Sequence, residues 1–220
     1  MLARDLINGN IPRLRLQDSV SKALQLLNDF RISHLPVVSD DKFLGLVSED
    51  DLLDAEAEKL NIEHLQDNFL KESIQGSVHF LNAVSSSIKN DITVIPVINN
   101  EDDFAGVITI PDLLKTLGNF AGANEIGGLI VIEMERSQFA ISEISRIVES
   151  NDCTILHLNT TTDNITGLLT VTLHINNREI ASVVSTFERY EYNVVYSFGS
   201  ENFENQISSN YQNLMNYLDI

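Results

Sequence analysis

The 220-residue sequence contains a single cysteine, Cys153, so one chain can form neither an internal disulfide nor a thiolate metal cluster. We expect this cysteine to be a buried core residue in a reducing compartment. The sequence also lacks a run of about 20 apolar residues that could span a bilayer, and its first residues lack the apolar segment of a secretory signal. These absences predict a cytoplasmic protein that does not enter a membrane.

Basic residues are few, because 14 lysines and arginines stand against 32 aspartates and glutamates, and the formal net charge is −18. Such a charge repels phosphate backbones and anionic membrane surfaces, so we expect neither nucleic acid nor a membrane as a partner. A small anionic ligand remains compatible with this charge, since the N-terminus of a helix supplies backbone N–H donors locally.

Sequence signatures of several enzyme classes are absent as well. The sequence has no G-x-S-x-G, H-E-x-x-H, G-x-x-x-x-G-K-[S/T] or G-x-G-x-x-G pattern, and no acid, base and nucleophile at a spacing that indicates catalysis. Pro-rich and Gly/Ser-rich tracts are also missing, so nothing indicates a long disordered linker. We therefore expect a protein that is not an enzyme, with no catalytic residues, no metal site and no required cofactor.

What the sequence does contain is an internal repeat. Residues 14–53 and 78–114 share an amphipathic stretch, a short apolar run with a central proline, an acidic turn, and a second run that begins with glycine. Each copy predicts the order β-α-β-β-α, and two such units can bury their apolar sheet faces against each other. Matching residues lie 60 or 61 positions apart and are Pro36 and Pro96, Gly45 and Gly106, Ser48 and Thr109, and Asp51 and Asp112.

The end of each copy has the pattern of a helix N-terminal cap. A Ser or Thr followed three residues later by an acid forms a capping box, in which the two side chains bond backbone donors of the first turn. Ser48 with Asp51 and Thr109 with Asp112 fit this pattern. We expect both pairs to cap helices, whether or not they also bind a ligand.

The repeat resembles the cystathionine β-synthase (CBS) domain pair, also called a Bateman module, in which two copies form a pseudo-twofold unit. The resemblance covers about residues 1–120 and rests on the proline-containing strand followed by G-h-h-[S/T]-x-x-D, twice. It implies that Asp51 and Asp112 accept hydrogen bonds from the ribose hydroxyls of an adenosine nucleotide, and that Ser48 and Thr109 face its phosphate. The base contacts that it implies are His34, Pro36, Ile95 and Pro96.

The charge near the repeats limits which nucleotide is expected. A triphosphate draws Arg or Lys into its site, but the matching windows contain few basic residues, among them Arg13, Arg15, Lys42 and Lys89. AMP, ADP or an adenosyl compound such as S-adenosylmethionine is therefore favoured over a fully clamped ATP as the regulatory ligand. His34 is open to two interpretations, a base contact or a hydrogen-bonded strand residue. His79 aligns with Leu14 or Arg15, and we interpret it as a surface or capping group.

The pattern changes at a glycine-rich stretch, residues 118–128, after which a second domain is predicted with the order β-α-β-β-α-β. This is the order of the ferredoxin-like fold, so the whole chain is predicted as α/β (α+β). The second half resembles an ACT-type domain, and a CBS pair followed by ACT is the layout of the acetoin-utilisation protein B family. The resemblance implies a homodimer. Phe139 stands where amino-acid-binding ACT domains carry glycine, so amino-acid binding is not expected.

The predicted boundaries are 1–58 and 59–120 for the CBS repeats, 125–200 for the ACT-like domain, and 201–220 for an amphipathic C-terminal helix. His157 and His174 are expected side by side on neighbouring strands, as a solvent-facing pair rather than the start of a metal site. Two functions remain open. The chain is either a non-catalytic regulator that binds an adenine nucleotide and relays this through a homodimer, or a ligand-free scaffolding dimer for an unknown partner protein.

Overall fold

The structure, a computed structural model, describes residues 1–54, 60–99 and 102–199. The chain divides into two compact units, Met1–Leu117 and Gly118–Ile220. Within the described ranges, no helix is both long enough and apolar enough to cross a membrane. The predicted helix over residues 201–220 and the predicted boundary between residues 58 and 59 lie outside the described residues.

The first unit contains the two predicted β-α-β-β-α copies. In the first copy Leu14 pairs in parallel with Val37, and the later elements are α1 (Val20–Phe30), β1 (His34–Ser39), β2 (Lys42–Ser48) and α2 (Glu49–Leu53). The second copy comprises β3 (Ile74–Gln75), α3 (Leu81–Asn90), β4 (Val94–Ile98), β5 (Phe104–Thr109) and α4 (Ile110–Phe120). Short 3-10 helices span Ala3–Leu6 and Ile62–Asn68.

Helix α1 shows why these segments fold as they do. Val20, Ala23 and Leu27 recur at helical spacing and are buried, and the Ser19 side chain caps the helix by accepting a hydrogen bond from Lys22 N at 3.2 Å. The helix ends at Arg31, whose backbone is left-handed with φ 54°. The cap and the ending therefore fix both limits of the helix.

The start of the second copy differs from the prediction. Ile74 pairs in parallel with Val97 as Leu14 pairs with Val37, so Ile74, and not His79, takes the place of Leu14. The copy therefore begins before residue 78. A strand of two residues is too short to show an alternating pattern, which is why the sequence did not reveal it. His79 instead lies before α3, where its Nδ1 accepts a hydrogen bond from Leu81 N at 3.5 Å.

The two copies contact each other at equivalent positions, which gives the pair its pseudo-twofold relation. Ser33 N donates to Thr93 Oγ1 at 3.1 Å on one side, and the rings of Phe43 and Phe104 stack with centroids 6.2 Å apart on the other. Phe43 and Phe104 belong to the antiparallel hairpins β1–β2 and β4–β5, and Ser33 and Thr93 directly precede these hairpins. Two clusters of buried apolar side chains lie in this unit, one mainly from each copy, and Leu46 of β2 belongs to the cluster of the second copy.

Gly45 and Gly106 allow the chain to pack closely at the same place in each hairpin. Their φ angles are 152° and 145°, values that residues other than glycine rarely adopt. A Cβ on Gly45 would lie 2.6 Å from Phe69 Cβ, and a Cβ on Gly106 would collide with Ile7 Cγ2. The repeated glycine of the motif is therefore required by backbone geometry.

The second unit has the predicted ferredoxin-like fold. Its elements are β6 (Gly128–Met134), α5 (Ile141–Glu149), β7 (Ile155–Thr162), β8 (Leu169–Ile175), α6 (Ala181–Arg189) and β9 (Asn193–Phe198). The strands form an antiparallel sheet in the order β7-β8-β6-β9. The core lies between this sheet and the two helices, and Cys153 is buried in it, as predicted.

The predicted pairing of His157 with His174 is confirmed, because they are partners in the β7–β8 register. Their predicted exposure is wrong for His174, which is only 8% exposed. The backbone at Gly122 and Gly127 covers the His174 ring. It approaches so closely that a Cβ at Gly127 would lie 2.8 Å from His174 Nε2. His157 contacts the ring of Phe120 edge-on at 6.2 Å. Across the described residues, no group of three His, Cys, Asp or Glu could hold a metal.

Replacing Gly106 tests the close packing in the second hairpin. Gly106→Ala forces a Cβ against Ile7 in a backbone conformation that disfavours side chains, so the free energy of unfolding should fall by about 2–4 kcal/mol. Gly9→Ala is the matched control, because a Cβ there meets nothing within 4 Å. Urea denaturation of both variants measures the difference, and equal stabilities would contradict the packing argument.

Tyr192 provides a pH-dependent test of the second unit. Its hydroxyl donates to Glu143 Oε2 at 3.0 Å, and burial, followed by this contact, raises its pKa to about 12. The raised pKa stabilises the fold fully below pH 10, the tyrosine's ordinary value, and this contribution is lost as the pH rises through about 12.

Tyr192→Phe should therefore lower the stability at about pH 9 and flatten the fall in stability between about pH 10 and about pH 12. Tyr196→Phe is the control, since this tyrosine is exposed on β9. Denaturant unfolding followed by circular dichroism measures both profiles. Identical profiles for the two variants would show that the Tyr192 contact does not set the pH dependence.

Candidate functional site

A cavity of about 420 Å³ opens at the start of α4. Four segments form it: the chain before the first repeat, the end of α1, Thr93 just before β4, and the turn from β5 into α4. Its wall combines apolar side chains with an amide, a guanidinium, two hydroxyls and a carboxylate. The lining residues are Asn8, Ile11, Phe30, Arg31, Ile32, Thr93, Thr109, Ile110, Pro111 and Asp112.

The carboxylate of Asp112 is held by two side-chain donors. Thr109 Oγ1 donates to Asp112 Oδ2 at 2.6 Å, and Asn8 Nδ2 donates to the same oxygen at 2.9 Å. Burial raises the pKa of Asp112, but the bonds from Thr109 and Asn8 and the charge of Lys115 outweigh it and leave the pKa below its usual value. Asp112 is therefore ionised at neutral pH. Its Oδ1 accepts no hydrogen bond from the described residues.

Among the described residues, Arg31 brings the only cationic side chain to the lining of this cavity. It is the first residue after α1, and its N–H donates to the carbonyls of Leu27 and Asn28. Its left-handed backbone ends the helix and turns the chain towards β1. The side chain is exposed, so the guanidinium is accessible to a ligand.

The start of α2 repeats the capping arrangement. Ser48 Oγ donates to Asp51 Oδ2, and Asp51 N donates to Ser48 Oγ at 3.1 Å. At α4, Asp112 N donates to Thr109 Oγ1 at 3.3 Å. Both Ser/Thr and Asp pairs thus form the hydrogen bonds of an N-cap, as the pattern predicts.

The four strand residues that the resemblance named as base contacts lie outside the lining of the cavity. Pro36, Ile95 and Pro96 are buried within β1 and β4. His34 is half-buried, and its Nδ1 accepts from Thr93 N at 3.4 Å. Burial lowers the pKa of His34, and the charges of Asp91, Asp51 and Asp50 offset this only in part, so the imidazole is neutral at pH 7.

Several lining residues were not found from the sequence. Asn8 precedes the repeat, and the apolar Ile11, Phe30 and Ile32 look like ordinary core residues before they are placed in space. Arg31 could have been found from the sequence, because the 60-residue offset between Pro36 and Pro96 also aligns Arg31 with Asp91, a residue of opposite charge. A comparison of charges at equivalent positions would have singled it out.

The basic residues considered from the sequence do not converge on this cavity. Arg13 pairs with Asp41 at 3.1 Å, and Lys42 pairs with Asp103 at 2.7 Å. Both are exposed pairs at the acidic turns of the hairpins, and such pairs add little to stability. Arg31 lines the cavity, whereas Arg13 and Lys42 do not, so Arg31 is the candidate cation of this site.

Comparison with known sequences agrees with the repeat. The model of the CBS domain family matches residues 3–58 and 79–119. Among curated proteins, a homoserine O-acetyltransferase from Methanobrevibacter ruminantium is 27% identical over 119 residues. That match spans 53% of this chain but only 24% of the enzyme, so the matched half of the chain corresponds to about a quarter of that protein.

Two solved structures each cover about half of this chain. A CBS domain pair/ACT domain protein from Thermotoga maritima is 17% identical with a TM-score of 0.49, covering 55% of this chain and 98% of that one. An acetoin utilization protein from Vibrio cholerae is 21% identical with a TM-score of 0.48, covering 56% of this chain and 95% of that one. From the family match and the twofold β-α-β-β-α repeat, the first unit of this chain is a pair of CBS domains.

Proposed function

We propose that this chain is a non-catalytic regulatory protein, which binds an adenine nucleotide or adenosyl compound at its CBS pair and relays the occupancy of that site through a homodimer. CBS-pair proteins are commonly regulatory. The observation that carries the proposal is the cavity at the start of α4, where an ionised carboxylate, a guanidinium and apolar side chains face one space.

Each part of the cavity matches one part of a nucleoside phosphate. Asp112 Oδ1 accepts no hydrogen bond from the residues that the structure describes, and an acceptor of this kind suits the two adjacent hydroxyls of a ribose. Ile11, Phe30 and Ile32 supply the apolar surface that a flat base requires. The Arg31 guanidinium suits a phosphate oxygen pair.

The backbone at the start of α4 offers few donors to a phosphate. Pro111 has no N–H, Ile110 N donates to Thr93 O at 3.3 Å, and Asp112 N donates to Thr109 Oγ1. Recognition of the phosphate therefore falls mainly on Arg31. One guanidinium fits a ligand with one or two phosphates better than a fully clamped triphosphate.

The position of the cavity suggests how binding could regulate. Arg31 and Phe30 belong to the first CBS copy, whereas Thr93 and Asp112 belong to the second. A ligand that touches both copies binds best to one arrangement of them, so its binding shifts the population towards that arrangement. In the proposed dimer, this shift changes the surface that is offered to a partner protein.

Nucleotide binding predicts a higher melting temperature in the presence of the ligand. AMP and ADP should raise Tm more than ATP does, because one guanidinium fits one or two phosphates better than three. A ligand at about 100 times its Kd stabilises the native state by about 2.7 kcal/mol. The assay compares AMP, ADP, ATP and S-adenosylmethionine at millimolar concentration. CBSX2 has been solved with AMP, which makes AMP the first probe.

Inorganic phosphate and GMP at the same concentrations are the controls for ionic and non-specific effects. A shift with AMP that neither control reproduces supports the proposal. If none of the four adenine compounds raises Tm, nucleotide regulation is wrong, and the ligand-free scaffolding dimer takes its place.

The homodimer is a separate prediction. The side of the β6–β9 pair opposite the helices exposes Leu129, Tyr196 and Phe198, and the last two are 61% and 59% exposed. Light scattering should therefore give twice the chain mass of 24.6 kDa. Phe198→Asp should shift the protein towards the monomer, whereas Ile165→Asp, in an exposed turn, should not. A monodisperse wild-type monomer would contradict the prediction.

A further inference from the structure

We propose that the two halves of the CBS pair are not equivalent for ligands: the Asp112 site binds the anionic nucleotide, with Arg31 as the phosphate contact, and the Asp51 site rejects it. The inference rests on the proposed function and adds to it a stoichiometry of one nucleotide per chain. It follows from a comparison of the residues that the pseudo-twofold relation places at the same position in each copy.

Arg31 and Asp91 occupy equivalent positions. Each is the first residue after its helix, each is left-handed, with φ 54° and 52°, and each donates its N–H back to the last turn. The next contacts also match, because Glu49 N donates to Ser33 O while Ile110 N donates to Thr93 O. The place that holds a guanidinium beside Asp112 therefore holds a carboxylate beside Asp51.

The start of the following helix continues the contrast in charge. Glu49 and Asp50 begin α2, whereas the uncharged Ile110 and Pro111 begin α4. At five equivalent positions, which include Arg31 and the two motif aspartates, the Asp112 side has two cations and one carboxylate. The Asp51 side has five carboxylates at the same positions. The equivalent pairs, Asp51 side first, are Asp91 and Arg31, Glu49 and Ile110, Asp50 and Pro111, Asp51 and Asp112, and Asp54 and Lys115.

The electrostatic surroundings of two titratable groups agree with this division. The charges of Asp91, Asp51 and Asp50 all raise the pKa of His34 against the effect of burial, which indicates that these carboxylates act on one place. The charge of Lys115, in contrast, lowers the pKa of Asp112. A phosphate would meet repulsion at the first position and attraction at the second.

Two pairs of equivalent residues have charges of the opposite sense, namely Asp29 in the first copy with Lys89 in the second, and Gly9 with Lys71, which follow the equivalent Asn8 and Leu70. Asp29 precedes Phe30 but does not line the cavity. Arg31 lines it, so Arg31 and not Asp29 can contact a ligand there. Neither pair therefore changes the contrast between Arg31 and Asp91 themselves.

The residue that orients the aspartate also differs between the halves. Asn8 N donates to Val107 O beside β5, and Leu70 N donates to Leu46 O at the matching place beside β2. The Asn8 amide bonds to Asp112, whereas a leucine side chain has no polar atom to offer Asp51. Of the two motif aspartates, only Asp112 is held by a second side chain from the described part of the chain in addition to the capping hydroxyl.

Calorimetric titration of the full chain with ADP and with adenosine tests the inference. We expect one ADP per chain. Arg31→Gln should raise the Kd for ADP roughly tenfold or more, because a charge-assisted bond is lost, while the Kd for adenosine stays within about twofold. Lys22→Gln is the matched control, since it removes a cation at the other end of α1, about 13 Å away along the helix axis.

The two motif aspartates provide an independent comparison. Asp112→Asn should abolish binding of both ADP and adenosine, whereas Asp51→Asn should leave both affinities within about twofold. Circular dichroism of each variant checks that the fold is retained. The stoichiometry is measured on the unaltered chain, so that part of the test does not depend on the folding of any variant.

The outcomes separate the inference from the proposed function. Two ADP per chain, loss of binding in Asp51→Asn but not in Asp112→Asn, or equal weakening of ADP and adenosine by Arg31→Gln would overturn the inference and leave nucleotide binding intact. Failure of the unaltered chain to bind any adenine compound would overturn both.

Discussion

The packing of two short hairpins against each other is the constraint on which the first unit depends. Each hairpin carries buried apolar residues on both strands, and a two-stranded hairpin cannot bury them alone. The pairing of the copies solves this, with contacts from Ser33 to Thr93 and from Phe43 to Phe104. The cavity at the start of α4 is a product of the same pairing, because its wall includes residues from both copies.

Much of this fold could be predicted because its signals are local. The N-caps at Ser48 and Thr109 depend on residues three positions apart, and the period of α1 appears within one helix. The ferredoxin-like order of the second unit likewise follows from the succession of strand and helix patterns. In each of these cases a short window of sequence contains the whole physical cause.

The parts that could not be predicted depend on contacts between distant residues. Strand β3 has two residues and exists because it pairs with β4, so no pattern within it could show the true start of the second copy. His174 alternates like an exposed residue, yet the backbone around Gly127 covers it. Asn8 reaches Asp112 across 104 positions of sequence, and only the folded chain brings an amide to that carboxylate.

The repeat separates residues that maintain the fold from residues that can carry function. Both copies need a glycine at the close approach in the hairpin and a hydroxyl with an acid at the helix start, and these features occur twice. Recurrence is therefore weak evidence for binding, since a structural requirement explains it fully. Arg31 and Asp91 share one backbone conformation but differ in charge. The fold does not require that difference, so positions where the copies diverge are the better guide to ligand recognition in a duplicated domain.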